Sequence, residues 1–269
     1  MTDNSALDVG LVAHDHRAML AFYGDGLCMP LVDTIERPGL VLTCLRAGAG
    51  LLKLNQRSGI TQEPAPGDFT KSRGLKLLTL VVRDLAATSD KLHAAGFPEL
   101  KVEDYSGRAV AITVDPNNTI VELLDDPESD PTPVMRAIGL TVGDMDASRT
   151  FLTDVLGFTE GATEPIPYLK TDKVEFLAGS TRLKLWQINE LPAHTGPIQA
   201  YAGIRYLTVK VNDVREIISR ARTAGLKVPL EPFEFAPGIE IAMIEDPDGN
   251  WFEVTAPART TTANTPAPR

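Results

Sequence analysis

The sequence predicts an α+β fold built from four copies of one strand–helix–strand module, arranged as two similar halves. Three observations predict it: an apolar strand ending in aspartate occurs four times, a helical stretch and a closing strand follow each copy, and equivalent residues are evenly spaced. The other residues can be assigned by their position in this repeat, because each copy is one supersecondary unit. The opening segments are DVGLVAHD at 8–15, LLTLVVRD at 77–84, AIGLTVGD at 137–144 and YLTVKVND at 206–213.

Constant spacing between the copies indicates a tandem duplication of two modules. In the opening strands, the offset from Asp15 to Asp144 is the same as the offset from Asp84 to Asp213. In the closing strands, the offset from Lys53 to Lys184 equals the offset from Glu122 to Glu253. Chance similarity would not give equal offsets at several separate positions.

The aspartate that ends each opening strand is suited to cap a helix, because its carboxylate accepts the free amides of the first helical turn. One helix is therefore predicted in each module, and each predicted helix ends near a glycine, as helix C-termini often do. The predicted closing strands read GLLKLNQ, TIVELLD, TRLKLWQ and NWFEVTA.

Turn and linker sequences divide the chain into a first domain, residues 1–127, and a second domain, residues 134–256. The acidic, Pro-rich segment DDPESDPTPV between them is typical of a linker. The turn sequences DPNN and DPDGN precede the closing strands of the second and fourth modules. Residues 257–269 have no apolar periodicity and are expected to form a disordered tail.

The composition is that of an ordinary soluble globular protein, with 43% hydrophobic and 23% charged residues. The net charge of −10 argues against nucleic-acid or anionic-membrane partners, which need a basic patch. No apolar run reaches the ~20 residues of a membrane span, and no basic-then-apolar leader is present. We therefore expect a cytoplasmic protein, a monomer or homodimer, whose partner is a small molecule.

These motifs resemble the vicinal oxygen chelate superfamily, which includes glyoxalases, bleomycin-resistance proteins and ring-cleaving dioxygenases. The resemblance covers about residues 7–256, and DPDGNWFE at 246–253 and FLTDVLGF at 151–158 are its most specific parts. It implies βαβββ modules that pair so that their curved sheets form a cup for a small molecule. Four modules therefore predict two paired cups.

In metal-dependent members of this superfamily the cup holds a divalent ion, bound by His, Gln and Glu, which suit octahedral ions. The ligands come from the first strand, seven residues before the aspartate, and from the last strand. This sequence departs from that pattern, since no first-strand position is His or Gln and two last-strand positions are lysine. This departure from the family's pattern predicts cups without a metal cofactor, and it leaves Glu253, Glu122 and Asp8 as the alternative ligands of a divalent ion. The matching positions are Asp8, Leu77, Ala137 and Tyr206 in the first strands and Lys53, Glu122, Lys184 and Glu253 in the last strands.

A lysine and a glutamate are expected to face each other where the metal would lie. The pair either replaces the metal as a functional group or is a buried ion pair that keeps the strands in register. Either way of pairing the modules gives each cup one ammonium and one carboxylate. Pairing within halves joins Lys53 to Glu122 and Lys184 to Glu253, whereas pairing across halves joins Lys53 to Glu253 and Lys184 to Glu122.

Strand alternation predicts which other side chains share a cup face. In the second half they include both tryptophans of the protein, whereas the first-half equivalents are mostly aliphatic and predict a filled core. The second-half cup is therefore predicted to bind a flat aromatic or polyketide-like molecule. The candidate catalytic residues are Glu253, Tyr206 and Lys184. The candidate ligand contacts are Trp186, Trp251, Arg182, Thr208 and His194, the last in a loop of the kind that covers cup mouths.

Three functions are compatible with this sequence. The first is a metal-free protein that sequesters a natural product, and the second is a metal-free enzyme that uses the cup for acid–base chemistry. The third is a divalent-metal-dependent lyase, isomerase or ring-cleaving dioxygenase of glyoxalase type, against which the missing histidines argue. The motifs GxSxG, HExxH and CxxC are absent, so nothing in the sequence predicts covalent catalysis.

Overall fold

The computed structural model describes residues 6–58, 68–105, 107–193 and 196–258. In this part of the chain, short helices accompany two eight-stranded sheets. The helices are α1 (His16–Leu20), α2 (Leu85–Ala94), α3 (Met145–Thr150) and α4 (Val214–Thr223), with π-helical turns at Ala21–Gly26 and Phe151–Val155 and 3-10 turns at Pro167–Leu169 and Ile198–Ala200. The strands are β1 (Asp8–Val12), β2 (Leu31–Arg37), β3 (Leu40–Ala47), β4 (Gly50–Arg57), β5 (Gly74–Val82), β6 (Val102–Tyr105), β7 (Arg108–Val114), β8 (Ile120–Asp125), β9 (Val134–Val142), β10 (Thr159–Ile166), β11 (Thr171–Ala178), β12 (Thr181–Gln187), β13 (Gly203–Lys210), β14 (Leu230–Ala236), β15 (Ile239–Glu245) and β16 (Trp251–Pro257).

The four helices begin at the predicted aspartates. Asp15, Asp84 and Asp144 each accept a hydrogen bond from the backbone N–H three residues later. Asp213 accepts from the backbone N–H groups of Arg215 and Glu216 in the first turn of α4. The carboxylate of each aspartate thus satisfies amides that have no partner inside the helix.

The modules pair across the two halves of the chain. Module 1 (β1–β4) and module 4 (β13–β16) form one sheet, in the order β14-β15-β16-β13-β1-β4-β3-β2. Module 2 (β5–β8) and module 3 (β9–β12) form the other, in the order β10-β11-β12-β9-β5-β8-β7-β6. We call the concave faces of these sheets the 1/4 cup and the 2/3 cup.

The predicted second-half cup is wrong, because modules 3 and 4 lie in different sheets. Trp186 lies on β12 in the sheet of modules 2 and 3, and Trp251 lies on β16 in the other sheet. The aliphatic positions of the first half are likewise divided between the sheets. The short connection 126–133 joins β8 to β9 inside one sheet, which leaves module 1 to pair with module 4.

The convex face of each sheet carries the core, where it packs against the helices. Leu52 and Leu54 on β4, and Leu183 and Leu185 on β12, are fully buried there. Burial of each such side chain contributes about 1.5–3 kcal/mol. Because strand side chains alternate, the lysines between these leucines point into the cups.

The last strand runs further than the sequence pattern predicts. β16 continues to Pro257, and the N–H of Ala258 donates to the carbonyl of Gly238, so the start of the predicted tail belongs to the sheet. The rest of that tail, 259–269, lies outside the described residues. Among the described residues, no helix is both long enough and apolar enough to cross a membrane.

Candidate functional site

A lysine, a threonine and a glutamate form a closed network at the floor of the 1/4 cup. The Lys53 ammonium donates to Glu253 Oε1 over 3.0 Å and to Thr208 Oγ1 over 2.8 Å. The Thr208 hydroxyl in turn donates to the same carboxylate oxygen over 2.8 Å. Asp8 lies beside this network, 3.5 Å from the Lys53 ammonium and 3.0 Å from that of Lys210.

The 2/3 cup has the same network in equivalent positions. The Lys184 ammonium donates to Glu122 Oε2 over 2.8 Å and to Thr79 Oγ1 over 3.1 Å. The Thr79 hydroxyl donates to the same Glu122 oxygen over 2.7 Å. The lysine–glutamate pairing is therefore the cross-half one, and each pair includes a threonine that bridges it.

The bridging threonine is the part of this network that sequence reasoning did not recognise. From the sequence, Thr208 is predicted as a ligand contact and Thr79 as part of a filled core. The two are separated by the same offset as the aspartates that end the opening strands. Their equivalence in the repeat was the available signal. The structure adds that they lie in register with Glu253 and Glu122.

The residues at the family's metal-binding positions do not fit a divalent cation. In each cup a lysine ammonium lies within hydrogen-bonding distance of the glutamate that would be a ligand. The first-strand positions of the 2/3 cup, Leu77 and Ala137, have no donor atom. Among the described residues no group of three or more His, Cys, Asp or Glu side chains is arranged to hold a metal ion.

One member of each ion pair has a pKa that its surroundings shift towards the charged form. Burial alone raises the pKa of Glu122, but the Lys184 ammonium and the hydrogen bonds from Lys184 and Thr79 bring it below its ordinary value. Burial opposes the charge of Lys53, yet Glu253 and the groups around it raise its pKa above the usual range. The charged forms of Glu122 and Lys53 are therefore favoured at neutral pH.

Tyr206 fills the centre of the 1/4 cup and lies against the backbone of Gly10. A Cβ atom added to Gly10 would lie 2.0 Å from the Tyr206 ring, so only glycine fits. The Tyr206 hydroxyl accepts a 3.4 Å hydrogen bond from Asn55. Burial raises the pKa of Tyr206 to about 12, which makes this phenol a poor proton donor at neutral pH.

Trp186 takes the corresponding place in the 2/3 cup, against Gly139. A Cβ atom on Gly139 would lie 2.5 Å from the tip of the indole. The indole N–H donates to the Thr141 hydroxyl over 2.8 Å, and the Phe69 ring packs edge-on at 4.8 Å. Trp186 is only 3% exposed, so it forms a wall of this cup more than an open contact surface.

The two cups differ in how far they are filled. Ile112 on β7 and Met243 on β15 hold equivalent positions, paired with Glu122 and Glu253 respectively. Ile112 is 66% exposed, whereas Met243 is 5% exposed and packs in a cluster with Tyr206. At this position the 1/4 cup is therefore filled by its own side chains, and the 2/3 cup is open to solvent.

Contacts across its mouth close the 1/4 cup further. The outermost strands of its sheet are β2 and β14, and the Arg37 guanidinium on β2 lies 6.0 Å from the Phe235 ring centroid on β14. Ile198, in the segment before β13, joins the buried cluster inside the cup. Trp251, the other predicted tryptophan, packs on this cluster, and its indole N–H is buried without a partner among the described residues.

Charged side chains line one wall of the 2/3 cup. Glu175 is paired in register with Lys184 and lies 3.4 Å from Lys173 and 3.7 Å from Arg182. Arg182 is a predicted ligand contact, and its side chain is 42% exposed. His194, the remaining predicted contact, lies outside the described residues.

The structure therefore divides the predicted site residues between two cups. Lys184, Trp186 and Arg182 belong to the 2/3 cup. The others with described positions belong to the 1/4 cup: Glu253, Tyr206, Trp251 and Thr208. The alternative metal ligands are divided too, since Asp8 and Glu253 lie in the 1/4 cup and Glu122 in the 2/3 cup.

Comparison with known families agrees with the fold and the repeat. The model of the Glyoxalase/Bleomycin resistance protein/Dioxygenase superfamily matches residues 6–127 and 134–254, so the chain belongs to this family. A search of curated protein sequences returns no match to this chain.

Solved structures with this fold are distant in sequence. Glyoxalase I from Zea mays has a TM-score of 0.72 at 17% identity, covering 94% of this chain and 93% of that chain. A putative dioxygenase from Bacillus subtilis has a TM-score of 0.64 at 16% identity, covering 94% and 84%. The cppA protein from Streptococcus pneumoniae has a TM-score of 0.55 at 12% identity, covering 95% and 100%. At these identities the similarity establishes the fold alone.

Proposed function

We propose that this protein binds a small organic molecule in the 2/3 cup without a metal ion and acts as a sequestering protein. The observation that carries the proposal is the Lys184–Thr79–Glu122 network at the floor of a cup that remains open. The ammonium occupies the place of the family's cation and offers a fixed positive charge to a ligand oxygen. The filled 1/4 cup then has a structural role.

The walls of the 2/3 cup favour a flat, largely apolar ligand with a polar end. Ile112, Val114 and Leu177 are 66%, 51% and 39% exposed on the cup face. Their apolar surface would be covered by a bound ring system, and such exposed apolar groups beside a few polar ones are typical of ligand sites. A carbonyl, hydroxyl or carboxylate oxygen on the ligand would face Lys184. An aromatic or polyketide-like molecule has both features.

The electrostatics of the network favour binding over acid–base catalysis. A general base works best when its pKa lies near the operating pH. Instead, the pKa of Glu122 is lowered, because the Lys184 ammonium and two hydrogen bonds outweigh the effect of burial. The carboxylate is therefore a weak base, and its Oε2 already accepts from both Lys184 and Thr79.

Binding can be tested with the fluorescent probe 1-anilinonaphthalene-8-sulfonate, which combines aromatic rings with an anionic group. We expect saturable binding of one probe per chain. Ile112→Asp should weaken it at least about tenfold, since a carboxylate would repel the sulfonate and remove apolar contact. Fluorescence titration of the folded protein measures the dissociation constant.

The matched control is Ile239→Asp, which places the same charge on an isoleucine of the other sheet that is 44% exposed. It should leave the probe affinity unchanged. Absence of saturable binding by the unaltered protein, or equal weakening by both variants, would contradict the assignment to the 2/3 cup.

Metal independence gives a separate expected result. Elemental analysis of the purified protein should find far less than one divalent ion per chain, since each candidate carboxylate is bonded to an ammonium. Treatment with EDTA should not change the probe affinity. Stoichiometric Zn, Ni, Mn or Fe, or loss of probe binding on chelation, would refute the metal-free proposal.

A further inference from the structure

A small, partly open pocket lies between the two sheets, outside both cups. It is formed where the first residues of β5 and β13 approach each other beside the turn that precedes β16. Three of its side chains are cationic, and they come from modules 2 and 4. The pocket is lined by Arg73, Gly74, Leu75, Lys76, Ile204, Arg205, Gly249 and Asn250.

Two equivalent β-bulges place the first two cations. Leu75 and Leu77 pair with consecutive residues of β9, so Lys76 is the extra residue of a bulge in β5. In the same way, Ile204 and Tyr206 pair with consecutive residues of β1, so Arg205 is the extra residue in β13. A bulge re-aims the side chain of its extra residue, and bulges are frequent beside binding sites.

Both bulge side chains are buried although they are cationic. Lys76 is 2% exposed and donates to the Ser72 hydroxyl over 2.5 Å. Arg205 is 7% exposed and donates to the carbonyl oxygens of residues 196–198 over 3.1 to 3.2 Å. Burial lowers the pKa of Lys76 to about 8 and that of Arg205 to about 10, so the site disfavours their charge.

Arg73 supplies the third cation and a donor directed at no acceptor. One of its terminal nitrogens lies 2.6 Å from Asp248 Oδ1, and its Nε is buried without a hydrogen-bond partner among the described residues. A buried donor of this kind costs about 1–3 kcal/mol when it stays unpaired. Asp248 also accepts from the N–H of Gly143, so this carboxylate is shared with module 3.

We propose that this pocket binds the oxyanion group of a small molecule, such as phosphate, sulfate or carboxylate, and thereby joins the two sheets. An oxygen of such a group would lie near the Arg73, Lys76 and Arg205 side chains, and a small shift of the Arg73 side chain would let its unpaired Nε donate to that oxygen. Hydrogen bonds between charged donors and oxyanions are about twice as strong as neutral ones. The pocket is partly open, so the anionic group would enter from the open side and the remainder of the molecule would stay outside.

Isothermal titration of the full chain with inorganic phosphate tests this proposal at constant ionic strength set with sodium chloride. We expect saturable binding that Arg73→Gln weakens at least about tenfold, because the guanidinium charge is lost. Asp248→Asn should tighten binding several-fold, since it removes the carboxylate that competes for Arg73. The matched control is Arg83→Gln, because Arg83 donates to the Ser129 carbonyl outside the pocket.

Titration with acetate distinguishes a carboxylate site from a phosphate or sulfate site, and the tighter ligand identifies the group. Saturable binding of either ion that responds to the variants as stated supports the proposal. Lack of saturable binding by the unaltered protein would overturn it. Equal affinity in Arg73→Gln and the unaltered protein would also overturn it, since binding would then lie elsewhere.

Discussion

Replacing Gly10 with alanine is expected to lower the free energy of unfolding by about 3 kcal/mol, at the upper end of overpacking costs. The added methyl group would lie 2.0 to 2.4 Å from three ring atoms of Tyr206. The ring cannot swing away freely, because it is 4% exposed and packs with Val12, Ile198 and Met243. Urea unfolding followed by circular dichroism measures the change.

A double-mutant cycle separates this clash from other effects of the substitution. Tyr206→Ala alone is destabilising, but in that background Gly10→Ala should be nearly neutral, since the ring is gone and alanine is favoured over glycine in a strand. Gly24→Ala is the matched control, because no atom lies within 4 Å of a Cβ added there. Additive costs of Gly10→Ala and Tyr206→Ala would show that the two residues do not compete for space.

The repeat identifies two equivalent glycines in the opening strands as positions where another group could pack closely. Gly10 and Gly139 hold equivalent positions in the two halves, each in the interior of an opening strand. Glycine weakens a strand, so an interior glycine often marks close approach of another group. The sequence could thus have located the close approach, but it could not have specified that Tyr206 covers one glycine and Trp186 the other.

Equal spacing in the two halves predicted the fold and the lysine–glutamate pairs. The same regularity left the pairing of modules open, because within-half and cross-half arrangements both oppose one lysine to one glutamate. Pairing depends on which central strands meet, here β1 with β13 and β5 with β9. Those contacts join residues far apart in the chain, which local patterns do not encode.

The sequence also did not show which of the two cups is open. Ile112 and Met243 are both apolar residues at equivalent positions, yet one is exposed and the other buried. The difference depends on what packs across each concave face, including the Arg37–Phe235 contact between strands at opposite edges of one sheet. A pattern of alternating residues identifies a face without showing what covers it.

Lys53→Met is expected to destabilise the protein by about 3–5 kcal/mol, the cost of breaking a buried ion pair from one side. The change leaves Glu253 without its ammonium partner and removes a cation from beside Asp8. The Lys53 and Glu253 side chains are 13% and 14% exposed, so water replaces the lost contact poorly. Chemical unfolding of the variant beside the unaltered protein measures the cost.

The double variant Lys53→Met/Glu253→Met should recover most of this loss, because apolar replacement of a whole buried pair is often neutral. Lys184→Met is the matched control in the 2/3 cup, where Glu122 is 23% exposed and water can reach the carboxylate. Lys184→Met should lower the free energy of unfolding clearly less than Lys53→Met does. It should also weaken binding of the fluorescent probe, which Lys53→Met should leave unchanged. An equal or larger stability cost at Lys184, with probe binding unchanged, would mean that the 2/3 network stabilises the sheet and does not receive a ligand.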